Sequence, residues 1–175
     1  AGEGITGTPT GFIDLDELLS GLQPSALIIV GARPAMGKTA FALNVAAHAA
    51  VREQKPTLIF SLEMGHLELT QRMLCSEANV DAKNMRDGKL NDDDWNRISN
   101  GIGRLADAPM WIDDNPNLTI MEIRAKARRL KSQAGGLGLI VVDYLQLMSG
   151  RAGAENRQVE VSEISRGLKI LAREL

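Results

Sequence analysis

Lys38 and Thr39 close the stretch "GARPAMGKTA", Gly31 to Ala40, between the apolar run "ALIIV" and the helix-like run "FALNVAAHAAV". Read from Ala32, it follows A-x-x-x-x-G-K-T, a phosphate-binding loop with Ala in place of the usual first Gly. Gly31, one place earlier, is available to make the turn instead. Ala32, Arg33, Pro34, Ala35, Met36, Gly37, Lys38, Thr39 and Ala40 form the candidate nucleotide-binding segment. Gly37 lets backbone amides approach phosphate oxygens, Lys38 brings a positive charge to the β and γ phosphates, and Thr39 offers a hydroxyl to magnesium. A merely flexible turn does not explain why Lys and Thr follow the glycine. With average residue usage such a match arises in about one per cent of chains of this length.

Hydrolysis of a bound triphosphate needs an acid on the magnesium side and a base that orients water. Two apolar runs end in candidates: "LIVVD" in Asp143, the Walker B pattern, and "LIFSLE" in Glu63. In a parallel sheet all carboxyl ends lie along one rim, so both acids converge on the phosphate loop. The competing reading makes either one a helix cap or loop carboxylate, the commoner use of such residues.

The elements that must position these groups alternate along the chain. Strands are expected at 26–30, 57–60, 110–112 and 137–142, and helices at about 39–52 and 66–78. A third helix carries Trp95, Ile98, Ile102 and Leu105 on one face and is weakened by Gly101 and Gly103. A fourth opens with Thr119 and Glu122 at capping-box spacing and keeps Ile123, Ala127 and Leu130 on one stripe. The last carries Val161, Ile164, Leu168, Leu171 and Leu175. The order β-α-β-α-α-β-α-β-α implies an α/β fold, a parallel sheet covered by helices.

At 175 residues with 44% hydrophobic and 24% charged residues, the chain suits one globular domain. There is no run of 18 or more apolar residues, and "AGEGITGTPTG" lacks the pattern of a signal peptide, so no membrane partner is expected. A single cysteine, Cys75, excludes an internal disulfide and a cysteine-held metal, which fits a cytoplasmic setting. The net charge of -2 leaves nucleic-acid contact to local patches.

The segments "TGFIDLDELLSGLQPSALIIVGARPAMGKTAFALNVA", "LIFSLEM" and "GLIVVDYLQLM" together resemble the RecA-like C-terminal motor domain of bacterial replicative helicases of the DnaB type. The resemblance runs from about Gly4 to the last residue, so residues 1–175 are expected to form one RecA-like P-loop domain with helices on both faces of its sheet. It implies ATP or another NTP with Mg2+, and a homo-hexamer that moves along single-stranded DNA and unwinds duplex. A primase and a helicase loader are the implied partners. By motif, Lys38 and Thr39 bind phosphate and magnesium, Glu63 polarises the attacking water, and Asp143 holds the magnesium shell. Arg72, nine residues after Glu63, falls where the family places an arginine near the γ-phosphate; the alternative is an (i, i+4) pair with Glu68.

In the family a further strand, a sensor glutamine, DNA-contacting loop residues and an arginine finger follow the position of Leu175, and an N-terminal domain and linker helix precede that of Ala1. The chain is thus expected to be a fragment that binds nucleotide, hydrolyses it at near-background rate and forms no stable ring. Leu168 and Leu171 are expected to be partly uncovered. The loop "SGRAGAENRQ", with Arg151 and Arg157, faces the ring's channel in the family and is the candidate DNA contact, against a plain surface loop. The charges of "RAKARRLK" read as a solvated helix face, and His48 and Cys75 as residues without chemistry. Low aromatic content, 3%, argues against base-stacking platforms. The rival functions are another RecA-like ATPase, such as a recombinase or repair paralogue, and a nucleotide-switched assembly module with negligible turnover.

Overall fold

The computed structural model describes residues 6–23, 38–62, 64–143 and 166–173, with Lys38 by its backbone alone. Its centre is a parallel three-stranded sheet, β1 (Thr57–Ser61), β2 (Met110–Asp113) and β3 (Leu139–Asp143), in the order β2-β1-β3. Thr57 is in register with Met110 on one side and Leu139 on the other. The expected strand at 26–30 lies outside the described residues. The third strand begins at Leu139 and not at 137; Leu137 packs against the core instead.

Every residue of β1 is buried, because both faces are covered. Side chains alternate across a strand, so Leu58 and Phe60 point one way and Ile59 the other. Leu58 and Phe60 pack with Leu118, with Ile123 and Ala127 of α6 (Ile120–Ala134), and with Leu168 and Leu171 of a helical segment at 166–173. Ile59 packs with Leu43 and Ala46 of α2 (Lys38–Ala47) and with Leu69 and Met73 of α3 (His66–Ala78). The two-faced α/β arrangement expected from the alternating pattern is therefore present. Leu168 and Leu171 depart from expectation: at 9% and 2% exposure they are buried, because α6 and β1 already offer them an apolar bed.

Helix α2 runs into a π-helical turn, His48–Arg52, closed by Glu53 N–H donating to His48 O at 3.1 Å. Two short helices escape the sequence pattern, α1 (Ile13–Leu19) and α4 (Ala82–Asp87). Both depend on carboxylates. Asp16, buried within α1, accepts from Thr10 N and Thr10 Oγ1, each at 2.8 Å, and Asp81 caps α4 by accepting from Lys83 N and Asn84 N. The turn that Asp16 secures brings Phe12 onto Phe41 of α2, with ring centroids 5.2 Å apart.

Helix α5 (Asp92–Asp107) turns half of its expected apolar face inward: Ile98 and Leu105 pack against neighbouring clusters, while Trp95 and Ile102 do not. Ile98 is buried at 4%, but Trp95 and Ile102 are 55% and 52% exposed. Gly101 faces inward as well: a Cβ there would lie 3.2 Å from Leu74 Cδ1 and 3.3 Å from Ala78 Cβ, so its missing side chain lets α5 lie close on α3. A full capping box forms at Asn91 and Asp94 of this helix. At α6 only half of the expected box forms: Thr119 Oγ1 accepts from Glu122 N at 3.3 Å, while the Glu122 carboxylate meets the Thr119 hydroxyl.

Candidate functional site

Parallel pairing carries the carboxyl ends of all three strands to one rim. Ser61 is in register with Asp143, and Phe60 with Asp113. The N-terminus of α2 faces the same rim. There Thr39 Oγ1 donates to Asp143 Oδ2 at 3.2 Å, joining residues 104 apart in sequence. Asp143 is 6% exposed. A carboxylate is buried so deeply only where partners satisfy its oxygens, and this one meets the hydroxyl of the candidate phosphate loop. Two hard oxygen donors at the start of a helix suit Mg2+, which takes one or two protein oxygens and fills its remaining positions with water and substrate phosphate. Among the described residues no cluster of three acidic, histidine or cysteine side chains forms a metal cage of its own.

The segment after β1 is tied to the same rim. Leu62 N donates to Asp143 O at 2.7 Å. Ser61, fully buried, donates from Oγ to Met64 O at 2.8 Å and accepts from Met64 N at 3.2 Å. Glu63, between them in sequence, lies outside the described residues, as do positions 32–37, Arg151 and Arg157. The structure thus brings Thr39 and Asp143 together and leaves the rest of the phosphate loop and the candidate DNA contacts undescribed.

Arg72 takes the alternative its spacing allowed. Its Nη2 lies 3.3 Å from Glu68 Oε1, with both side chains about half exposed. Such a pair contributes about 0 to 1 kcal/mol, and the described site has no contact from Arg72. His48 Nε2 faces Glu53 Oε1 at 3.5 Å. Cys75 sits against Met85 with its thiol pushed up by burial and, secondarily, by the charge of Asp81. Among the described residues neither has a neighbour that would give it chemistry. On the basic run, Lys126 pairs with Asp113.

The run "MWIDD" also ends an apolar strand in acids. Asp114, one residue past β2, accepts with Oδ2 from His66 N at 3.0 Å, and the same oxygen lies 3.0 Å from His66 Nδ1. Its carboxyl is held below the ordinary value chiefly by that backbone N–H, then by the imidazole. The same signal that marked Asp143 and Glu63, an acid ending an apolar run, was present there.

Comparison with known proteins agrees with this geometry. The family described as DnaB-like helicase C terminal domain matches residues 7–175. The chain is 56% identical over 172 residues to the replicative DNA helicase DnaB of Geobacillus stearothermophilus, covering 98% of this chain and 38% of that protein. It is 53% identical over 172 residues to the replicative DNA helicase DnaC of Bacillus subtilis strain 168, again covering 98% and 38%. Its structure superposes with a TM-score of 0.92 and 32% identity on a DnaB-like replicative helicase whose structure was described with its interactions with primase, over 98% of this chain and 41% of that one. A second solved structure, described as an ATPase domain, gives the same TM-score and identity over 98% of this chain and 62% of that one. The chain spans about 38% of the length of the curated relatives it matches. With its family match over nearly all its length, and with the threonine of its phosphate-loop motif on the acid that ends β3, the chain belongs to the DnaB-like helicase C-terminal domain family.

Proposed function

We propose that this chain is the NTP-hydrolysing motor domain of a replicative DNA helicase, which uses ATP to translocate on single-stranded DNA and unwind duplex. The observation that carries this is the Thr39 to Asp143 hydrogen bond. It joins the helix that follows the phosphate loop to the strand-end acid, and it occurs in a chain whose family relatives are named as replicative DNA helicases.

In this reading the backbone N–H groups of residues 32–40, Pro34 excepted, and the Lys38 ammonium bind the triphosphate. Thr39 and Asp143 would hold Mg2+, which would neutralise charge on the phosphate oxygens. Glu63 takes the proton of a water whose oxygen attacks the γ-phosphorus as the bond to the bridging oxygen breaks. Arg72 has to leave Glu68 to reach a phosphate, and the weakness of an exposed pair permits it. Arg151 and Arg157 contact the DNA backbone as phosphate neutralisers. A homo-hexamer, with primase and a loader as further partners, is the assembly in which this motor works.

Binding and turnover in the full-length protein test the reading. Lys38→Ala is expected to weaken triphosphate affinity at least about tenfold, on the order of 1.4 kcal/mol, and to abolish DNA-stimulated hydrolysis and unwinding. Unchanged affinity in a calorimetric titration, with unwinding intact, would sink the proposal.

A further inference from the structure

We infer that Asp114 is a positioning residue for the water-activating glutamate, acting through the N-terminus of α3. The inference rests on the assignment of that role to Glu63. Helix α3 begins at His66, three residues beyond Glu63, and its N-cap is Gly65, which has no side chain to accept from the first turn. The acceptor comes from another strand. Asp114 Oδ2 receives the His66 N–H at 3.0 Å and sits against its ring nitrogen at the same distance.

The described chain on either side of position 63 is therefore fastened at three points. Ser61 and Met64 hold each other, Leu62 N donates to Asp143 O on β3, and His66 is held from the end of β2. A general base must stay within hydrogen-bonding reach of its water, and a displacement of about 1 Å can cost on the order of a hundredfold in rate. Ser61 is wholly buried, so replacing it would disturb packing. The Asp114 side chain is 41% exposed, so its loss removes the tie without opening the core.

The test compares steady-state ATP turnover, affinity for a non-hydrolysable ATP analogue and thermal unfolding in the full-length protein and its variants. Asp114→Ala is expected to lower kcat about tenfold, with affinity unchanged and the unfolding midpoint lowered by no more than a few degrees, as loss of a helix cap alone would do. Asp114→Asn keeps an acceptor oxygen and should recover most of that loss. His66→Pro removes the donated N–H at the first helical position, where proline is tolerated, and should reproduce the fall; it also decides the matter if Asp114→Ala does not fold. Glu63→Gln separates the two readings. If it is inactive while Asp114→Ala and His66→Pro turn over within twofold of the parent, the positioning role is wrong and the glutamate assignment stands. A parallel loss of kcat and affinity in the Asp114 variant would make the contact merely structural and overturn the inference as well. If Glu63→Gln keeps full turnover, the underlying assignment fails and the inference falls with it.

Discussion

The carboxyl rim of the sheet and the helical lobe formed by α3, α4 and α5 handle polar groups in opposite ways. At the sheet, Thr57, Ser61 and Asp143 are buried, and the hydrogen bonds of Asp143 reach Leu62 and Thr39 on other elements. In the lobe no polar or charged residue is buried among those described. Its charges sit at helix ends or in partly buried pairs, such as Arg104 and, from the π-helical turn, Arg52 converging on Glu77 at 2.8 and 3.0 Å. The lobe's core is plain apolar packing, Ala78, Val80 and Ile98 with Leu74, Met85 and Leu90 around them. Burying a carboxylate costs free energy unless its partners are fixed in place. The rim bears that cost at the position where the chemistry is proposed, whereas α5 packs on α3 through Gly101 without burying a charge.

Substitutions can break or sharpen this contrast. The largest effect is expected at the rim: Asp143→Ala in the full-length protein should reduce ATP turnover roughly a hundredfold or more, while Trp95→Ala in the lobe leaves turnover unchanged. Wild-type turnover from the Asp143 variant would erase the distinction. For stability, Leu171→Ala should cost about 2 to 5 kcal/mol in urea unfolding, since the side chain is 2% exposed against both α6 and β1. Trp95→Ala, at a half-exposed site, should change it by no more than about 0.5 kcal/mol. Equal losses would mean that the exposed face of α5 is part of the core after all.

The smallest effect lies within one helix. Gly103 has no atom within 4 Å of a would-be Cβ, so Gly103→Ala should stabilise by about 0.5 to 1 kcal/mol. At Gly101 the same change meets Leu74 and Ala78 at 3.2 and 3.3 Å, and the gain in helix propensity should be cancelled or reversed. Thermal unfolding of the two variants side by side reads the difference. Stabilisation of equal size at both sites would show that α5 does not need the close approach to α3.

The sheet was legible because its strands are short apolar runs between turn residues, and burial on both faces demands continuous runs such as "TLIF". Asp143 was legible because an acid at the end of such a run is conspicuous. Helices α1 and α4 were not. At seven and six residues they are too short to show a period, and they are fixed by contacts of Asp16 and Asp81 that spacing alone does not reveal. On α5 the apolar pattern marked Ile98 and Leu105, which pack inward, but also Trp95 and Ile102, which do not, for a related reason. Hydrophobic periodicity finds large apolar residues, whereas this helix is oriented by a glycine that admits its neighbour. Asp114 carries a sequence signal of the same kind as that of Asp143. Its partner, a backbone N–H on another element, cannot be seen along the sequence.

The pairing of β1 with strands on both sides also bears on folding, because both partners are far along the chain. Thr57 pairs with Met110 and Leu139, and Thr39 meets Asp143 across a sequence separation of 104. Loops of that length close late and slow the search for the native state. If Thr39 and Asp143 together hold the metal–nucleotide complex, that competence is expected only once β3 has joined β1. A ligand that needs both residues can slow unfolding by occupying the finished site, but it has nothing to grip in the transition state and should leave the refolding rate untouched. Stopped-flow refolding and unfolding with and without Mg·ATP would show this as a shift in one limb of the chevron alone.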